Sequence, residues 1–275
     1  MHVKRESAGG CKISQELYIE TLVKKFGMRE SKVMKTPAAE LRLCPAADDE
    51  KVLSHVPYRE LAGSLMWLSV CSRPDITYAV NTVCRFVEKP TEGHWKALKR
   101  ILRYVKGSMK SGLLFGNGGD SELVGYTDSD WAGDVTRKST SGYVFLLNGT
   151  PVSWMSRLQK SRAMSSAEAE YVAGCEAGLE AVYLRQLLSD LFCPQAKPTV
   201  IYQNNRAAID MSKNPVKHKS MKHIDLRFNK IRELVEDGVV EMRWLSTEEM
   251  LADVLTKPLG FVKHQKATNL LLSQQ

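Results

Sequence analysis

Four side chains, far apart along the chain, have the types needed for phosphodiester chemistry. They are Asp128 in Gly125-Tyr126-Thr127-Asp128-Ser129-Asp130-Trp131, Glu170 in Ser166-Ala167-Glu168-Ala169-Glu170-Tyr171, Asn204 in Ile201-Tyr202-Gln203-Asn204-Asn205, and Asp253 in Met250-Leu251-Ala252-Asp253-Val254. Carboxylates gathered by one sheet can hold two Mg2+ (or Mn2+) ions that clamp an attacking water and a leaving oxygen. Hard ions ask for several negative oxygens, so the amide at position 204 is the odd member of the set. Asp128 closes a β-prone run, an unfavourable place for a charge unless it faces a cation or a partner. Singly, each residue has a plainer reading: Asp128, Asp130 and Asp134 solvate a turn, Glu168 and Glu170 complement a helix N-terminus, and Asp253 sits on a surface helix. Together, in strand-helix-strand-helix order, they read as one site.

The elements that must position them follow from pattern. Leu123 to Thr127, Tyr143 to Leu147 and Val152 to Met155 are short β-prone runs, the last two joined by an Asn148-Gly149 turn. Ser165-Ser166 caps a long helix through Leu191, with Glu168 and Glu170 near its start. Val200 to Tyr202 reads as a strand, 206–211 and 223–236 as helices, 239–245 as a strand, and Thr247-Glu248-Glu249 opens a short final helix carrying Asp253. The order is βββ-α-β-α-α-β-α, an α/β domain. Before Gly116-Asn117-Gly118-Gly119-Asp120, where a boundary is expected, apolar residues fall at helical spacing: Leu17, Leu22 and Phe26; Leu61, Leu65 and Leu68; Leu98, Ile101, Leu102 and Val105. That half reads as mostly helical, with a loose Pro- and acid-rich connection from Thr36-Pro37 to Glu50.

Charge is unevenly placed. Residues 1–120 hold 20 Lys+Arg against 13 Asp+Glu, and the remainder 19 against 18, so the anion-attracting part is the first. Lys96, Lys99, Arg100, Arg103 and Lys106 line one side of a helix opposite an apolar stripe; a solvated face and a phosphate contact fit that spacing equally. Arg157, Lys160 and Arg162, between the third strand and the long helix, are placed to meet a phosphate backbone passing Glu170, with a polar loop as the alternative. His218 and His223, among Lys217, Lys219 and Lys222, suit a helix start or phosphate contact better than metal ligation. Trp131 and Trp154 read as core. The six cysteines form no CxxC pair, so reduced, mostly buried thiols are expected. No apolar run of membrane-spanning length and no secretory leader is found, from which an intracellular protein, cytoplasmic or nuclear and not secreted, is expected.

At these residues the chain resembles, over nearly its whole length, the C-terminal part of the Pol polyprotein of copia-type LTR retrotransposons. Val56-Pro57-Tyr58-Arg59-Glu60-Leu61-Ala62-Gly63, Ser72-Arg73-Pro74-Asp75-Ile76 and His94-Trp95 resemble the segments that follow the polymerase palm. Lys138-Ser139-Thr140-Ser141-Gly142, Lys222-His223-Ile224-Asp225 and Ala252-Asp253-Val254-Leu255-Thr256-Lys257-Pro258-Leu259 join the acidic segments in resembling the family's ribonuclease H domain. The resemblance implies a reverse transcriptase thumb/connection segment at 1–118, a ribonuclease H-like domain at 121–260 and a tail at 261–275. It also implies a five-stranded mixed sheet flanked by helices, and cleavage of the RNA strand of an RNA/DNA hybrid. Upstream polymerase domains would be partners in a full-length element; with no Tyr-Xaa-Asp-Asp signature, no polymerase active site lies in this chain.

Carried over by position, Asp128 would bridge both ions, Glu170 would serve from the long helix, and Asp253 would complete the set. Glu168, on another face of that helix, would complement its N-terminus or support the site from behind. Where the family usually has Cys-Asp-Asn, this chain has Gln203-Asn204-Asn205. The expectation is a member of the two-metal RNA-DNA hybrid ribonuclease class, its activity weakened or lost because Asn204 replaces a metal-binding Asp. The alternative is a non-catalytic nucleic-acid-binding fragment, or the product of a decaying element without cellular function.

Overall fold

The computed structural model describes residues 1–6, 9–39, 43–47, 50–116, 121–213 and 227–273. Residues 117–120 of the expected boundary, Asp48 and Asp49, and the segment 217–225 with His218, His223 and their lysines lie outside the described residues. The chain divides into two compact units, 1–117 with 257–275, and 118–256.

The first unit joins a small sheet to helices. Strands β1 (His2–Arg5), β2 (Cys11–Ser14) and β3 (Gly112–Phe115) run antiparallel in the order β1-β2-β3. Helices α1 (Glu16–Lys25), α2 (Tyr58–Cys71), α3 (Thr77–Cys84) and α4 (Glu92–Gly107) bury Ile19, Leu61, Leu65, Leu68, Leu98 and Leu102 in one core. The helical spacing of α2 and α4 predicts these faces; in α1 the buried side is Ile19, Leu22 and Val23, and Leu17 stays exposed. The sheet is absent from the sequence reading, because β1 buries no side chain and β3 is about a hundred residues from its partner. Thr91 and His94 close the start of α4 reciprocally: Thr91 N–H donates to His94 Nδ1 at 3.0 Å. The ring therefore carries its proton on Nε2, which donates to Cys44 O at 2.8 Å. Phe86 stacks on this ring 3.9 Å away, so the His94-Trp95 motif has a structural use.

The segment read as a tail is helical as α8 (Phe261–Leu271) and belongs to the first unit. It buries His264, Ala267, Thr268 and Leu271, and His264 meets Tyr104 edge-on at 5.3 Å.

The second unit is the five-stranded sheet β6-β5-β4-β7-β8. Its strands are β4 (Leu123–Asp130), β5 (Thr140–Leu147), β6 (Thr150–Leu158), β7 (Thr199–Gln203) and β8 (Val240–Trp244). β4, β5 and β6 pair antiparallel, whereas β7 joins β4 and β8 joins β7 in parallel. Asn148 and Gly149 take φ of 55° and 75°, the left-handed pair that a tight hairpin between β5 and β6 requires. Helix α5 (Ser166–Asp190) packs on β4 and β5 through Ala169, Ala173, Ala177 and Ala181, small residues that let its backbone approach the sheet. Helices α6 (Arg206–Lys213) and α7 (Arg227–Glu236) complete the flanks. This order and sense of strands is the ribonuclease H-like fold, mixed in direction and flanked by helices. Among the described residues no helix is long and apolar enough to cross a membrane.

Candidate functional site

Asp128 lies in β4 opposite Gly142 of β5 and is 1% exposed. The strand continues three residues past the sequence reading, so Asp128 is inside it and not at its end. Asp128 Oδ1 accepts from Asn204 Nδ2 at 3.3 Å, and Oδ2 accepts from the Thr256 hydroxyl. Gly142 is what lets Thr256 come so close. A Cβ at 142 would stand 2.8 Å from both Leu255 Cβ and Thr256 Cγ2, a separation that packed carbons do not tolerate.

Glu170 is 5% exposed on the first turns of α5. Its Oε1 accepts from Ser129 N–H at 3.3 Å, its Oε2 from Gln203 Nε2 at 3.1 Å, and the same Gln203 nitrogen also donates to Glu170 O at 2.8 Å. The helix start is held by Ser165, whose Oγ accepts from Glu168 N–H at 3.1 Å, while Glu168 Oε2 accepts from Met164 N–H at 2.7 Å. Glu168 thus closes the helix N-terminus, as the sequence suggests. Gln159 adds a tie that the sequence gives no sign of: its Nε2 donates to Ala169 O at 2.9 Å and Ser141 Oγ at 3.0 Å.

Asn204 follows the last residue of β7 and is half-buried, with Thr247 Oγ1 3.5 Å from its amide nitrogen. Asn205 caps α6, accepting from Ala208 N–H at 3.1 Å. Asp253 is fully buried in a 3-10 turn, Leu251–Leu255, and not on a surface helix. The contact joining that turn to Asp128 is Thr256, whose hydroxyl also lies 3.3 Å from Asp253 O. Thr256 was within reach of sequence reasoning, since it belongs to the Ala252–Leu259 motif.

The resemblance implies two Mg2+ or Mn2+ ions. Cations need carboxylate lone pairs aimed at a shared point. All four oxygens of Asp128 and Glu170 accept hydrogen bonds from the chain, and Asn204 turns an N–H, not a lone pair, toward Asp128. Among the described residues no group of three or more His, Cys, Asp or Glu is disposed to hold a metal ion. The donor set as it stands does not fit a two-ion site.

The basic candidates divide. Arg157, Lys160 and Arg162 are exposed on and after the end of β6. On α4, Lys96 is exposed beside Glu92, and Lys99 lies 5.3 Å over the Trp95 ring. Arg100 and Arg103 are half-buried under the segment 28–38. Arg100 donates to Thr36 O and Oγ1 at 3.2 and 2.8 Å, and Arg103 O accepts from Met34 N–H at 3.4 Å. Lys106 holds the carbonyls of Arg29 and Ser31. The Arg100 and Lys106 side chains are therefore structural clamps, and burial lowers the affinity of the Arg100 guanidinium for its proton.

Two further expectations change. Trp131 is not core: it is half-exposed, and its Nε1 donates to Ala163 O at 3.2 Å. All six thiols are free, yet only Cys175 is buried, and burial pushes its thiol up to about 12. An exposed pair with no sequence signal stands beside Asn204: Trp244 Nε1 donates to Asn204 O at 3.2 Å, and the Arg206 guanidinium lies 4.7 Å from the Trp244 ring centroid.

No family model matches the chain. It is 45% identical over 252 residues to a retrovirus-related Pol polyprotein from transposon TNT 1-94 of Nicotiana tabacum, covering 89% of this chain and 19% of that one. It is 38% identical over 257 residues to that from transposon RE2 of Arabidopsis thaliana, covering 93% and 18%. The chain thus spans under a fifth of the length of these relatives. Among solved structures, LC11-RNase H1 in complex with RNA/DNA hybrid aligns at 20% identity with a TM-score of 0.37, covering 49% of this chain and 94% of that one. A likeness of that extent adds no weight to the strand order itself.

Proposed function

The chain belongs to the copia-type LTR retrotransposon Pol family, and from that premise we propose that residues 118–256 bind RNA/DNA hybrid and cleave its RNA strand weakly or not at all. In an intact site of this class two divalent ions supply the activated water and stabilise the departing oxygen. The observation that carries the reading is the Asn204 amide resting on Asp128 at 3.3 Å. A neutral donor there leaves the site one negative ligand short.

Binding does not depend on that charge. A hybrid is held through phosphates and 2′-hydroxyls, and these need cations, N–H groups and aromatic faces. Exposed Arg157, Lys160 and Arg162 lie on the approach to the Glu170 helix, and Arg206 with Trp244 stands beside Asn204. Residues 1–117 serve as the thumb/connection segment, with Lys96 and Lys99 its remaining phosphate contacts. The upstream polymerase domains would be its partners in a full-length element.

The test is retention and cleavage of a labelled RNA/DNA hybrid by the full chain in Mg2+ and then Mn2+, beside Asp128→Asn and a duplex DNA competitor. The expected result is hybrid retained in preference to duplex, weakening steeply with salt, and RNA left intact. Cleavage that disappears in Asp128→Asn would refute the loss of activity. Retention indifferent to hybrid or duplex would refute the binding.

A further inference from the structure

We infer that Gln203 closes the carboxylate site independently of Asn204, so that the site takes up no divalent cation even when Asn204 is returned to Asp. The inference rests on the ribonuclease H-like reading above and deepens it.

Gln203 ends β7, pairs with Trp244 of β8, and is 1% exposed. One nitrogen, Nε2, donates both to the Glu170 carbonyl at 2.8 Å and to Glu170 Oε2 at 3.1 Å. The carbonyl bond is to the helix backbone, so it fixes the amide even if the carboxylate shifts, and the N–H stays turned on Oε2. Gly174, one turn further along α5, faces the same amide; a Cβ there would stand 3.7 Å from Nε2, ordinary packing contact. With Ser129 N–H on Oε1, both Glu170 oxygens are engaged from two different strands.

Each carboxylate oxygen offers two lone pairs, and the anchored, buried N–H takes one on Oε2 and fixes where the other points, so a cation would have to displace it or accept that direction. The cysteine that the family usually carries at this position is a weak donor, too short to span carbonyl and carboxylate. Positions 203 and 204 send their side chains to different partners, Gln203 to α5 and Asn204 to Asp128 and Thr247. The two amides therefore act separately, and reverting one leaves the other in place.

The experiment titrates Mn2+ into the full chain, Asn204→Asp, Gln203→Cys and the double variant, following free Mn2+ by electron paramagnetic resonance and melting with and without Mg2+. The natural chain and Asn204→Asp should show no saturable sub-millimolar uptake and no metal-dependent rise in melting temperature. The double variant should gain both, binding roughly ten- to a hundredfold more tightly than Asn204→Asp. Uptake by the natural chain, or by Asn204→Asp as tight as by the double variant, overturns the inference.

If the double variant fails to fold, the Gln203 side-chain amide signals in the natural chain decide. Slow exchange and no change on adding Mg2+ support closure, and selective broadening by dilute Mn2+ refutes it. Hybrid retention measured in metal-free buffer is a separate readout: its absence in every variant sinks the hybrid-binding reading and leaves the metal result standing.

Discussion

Replacing Asp75 with Ala should strand a buried cation in the first unit. Arg73 and Asp75 are both fully buried in the turn between α2 and α3 and meet in two parallel bonds, Nε to Oδ1 at 2.8 Å and Nη2 to Oδ2 at 2.7 Å. Tyr104 adds a third donor to Oδ2 at 2.7 Å, and Ser108 holds the guanidinium through its carbonyl at 3.0 Å and hydroxyl at 2.7 Å. Burial pushes the Asp75 carboxyl up; the Arg73 guanidinium and the Tyr104 hydroxyl outweigh it and hold the group below its ordinary value. Without Asp75, three donors lose their acceptor and the cation keeps only neutral partners, Ser108 and the Tyr104 ring 5.6 Å away. Breaking such a pair costs about 3–5 kcal/mol, a large share of the roughly 5–15 kcal/mol that stabilises a whole domain. An apolar pair, Arg73→Met with Asp75→Leu, removes the charge along with its partner and should cost far less than Asp75→Ala alone. Urea unfolding followed by hydrogen exchange on peptides from α2, α3 and α4 reads the loss in this unit. A loss under about 1 kcal/mol for Asp75→Ala, or a double variant no more stable than the single, would refute the reasoning.

Burial lowers the proton affinity of both His94 and His264 in the first unit, so below the ordinary value of 6.5 the unfolded chain binds more protons than the folded one. Stability of this unit should therefore fall as pH drops through that window and level off above it, and His264→Gln should flatten the slope in urea titrations across pH. Gln159→Leu removes one donor from Ala169 O, which keeps its helical bond, and one from Ser141 Oγ, and should cost the second unit about 0.5–1.5 kcal/mol in denaturant unfolding. Joint replacement of Arg157, Lys160 and Arg162 by Ala should reduce the slope of log affinity against log salt for hybrid by roughly 2–3; an unchanged slope would remove these residues from the interface.

The second unit was legible because its signals are local. Asn148-Gly149 needs two left-handed residues, Ser165 with Glu168 needs a helix start, and β-branched and aromatic runs supply the strands between. The first unit hid what depends on distant partners. β1 reads His-Val-Lys-Arg and buries nothing, so only its pairing with β2 makes it a strand. α8 buries His264, Ala267 and Thr268, a face too polar to stand out as a core stripe, and it finds its place only against Tyr104 and Asp75. The basic stripe of α4 looked free because spacing cannot show that residues 28–38 lie across it.

The acidic site shows how the fold accommodates an amide at position 204. Buried carboxylates are costly unless something satisfies their oxygens, and in a two-ion site the cations share that role. In this chain Ser129, Gln203, Asn204 and Thr256 supply an N–H or O–H to each oxygen of Asp128 and Glu170. These donors are part of the chain, so they act at any metal concentration. A protein that binds an ion only when folded gains stability as the ion concentration rises above its dissociation constant. Here the second unit should melt at the same temperature in chelator and in Mg2+, and its carboxylates serve as the knot between β4, α5 and the Asp253 turn whether or not any phosphodiester is cut.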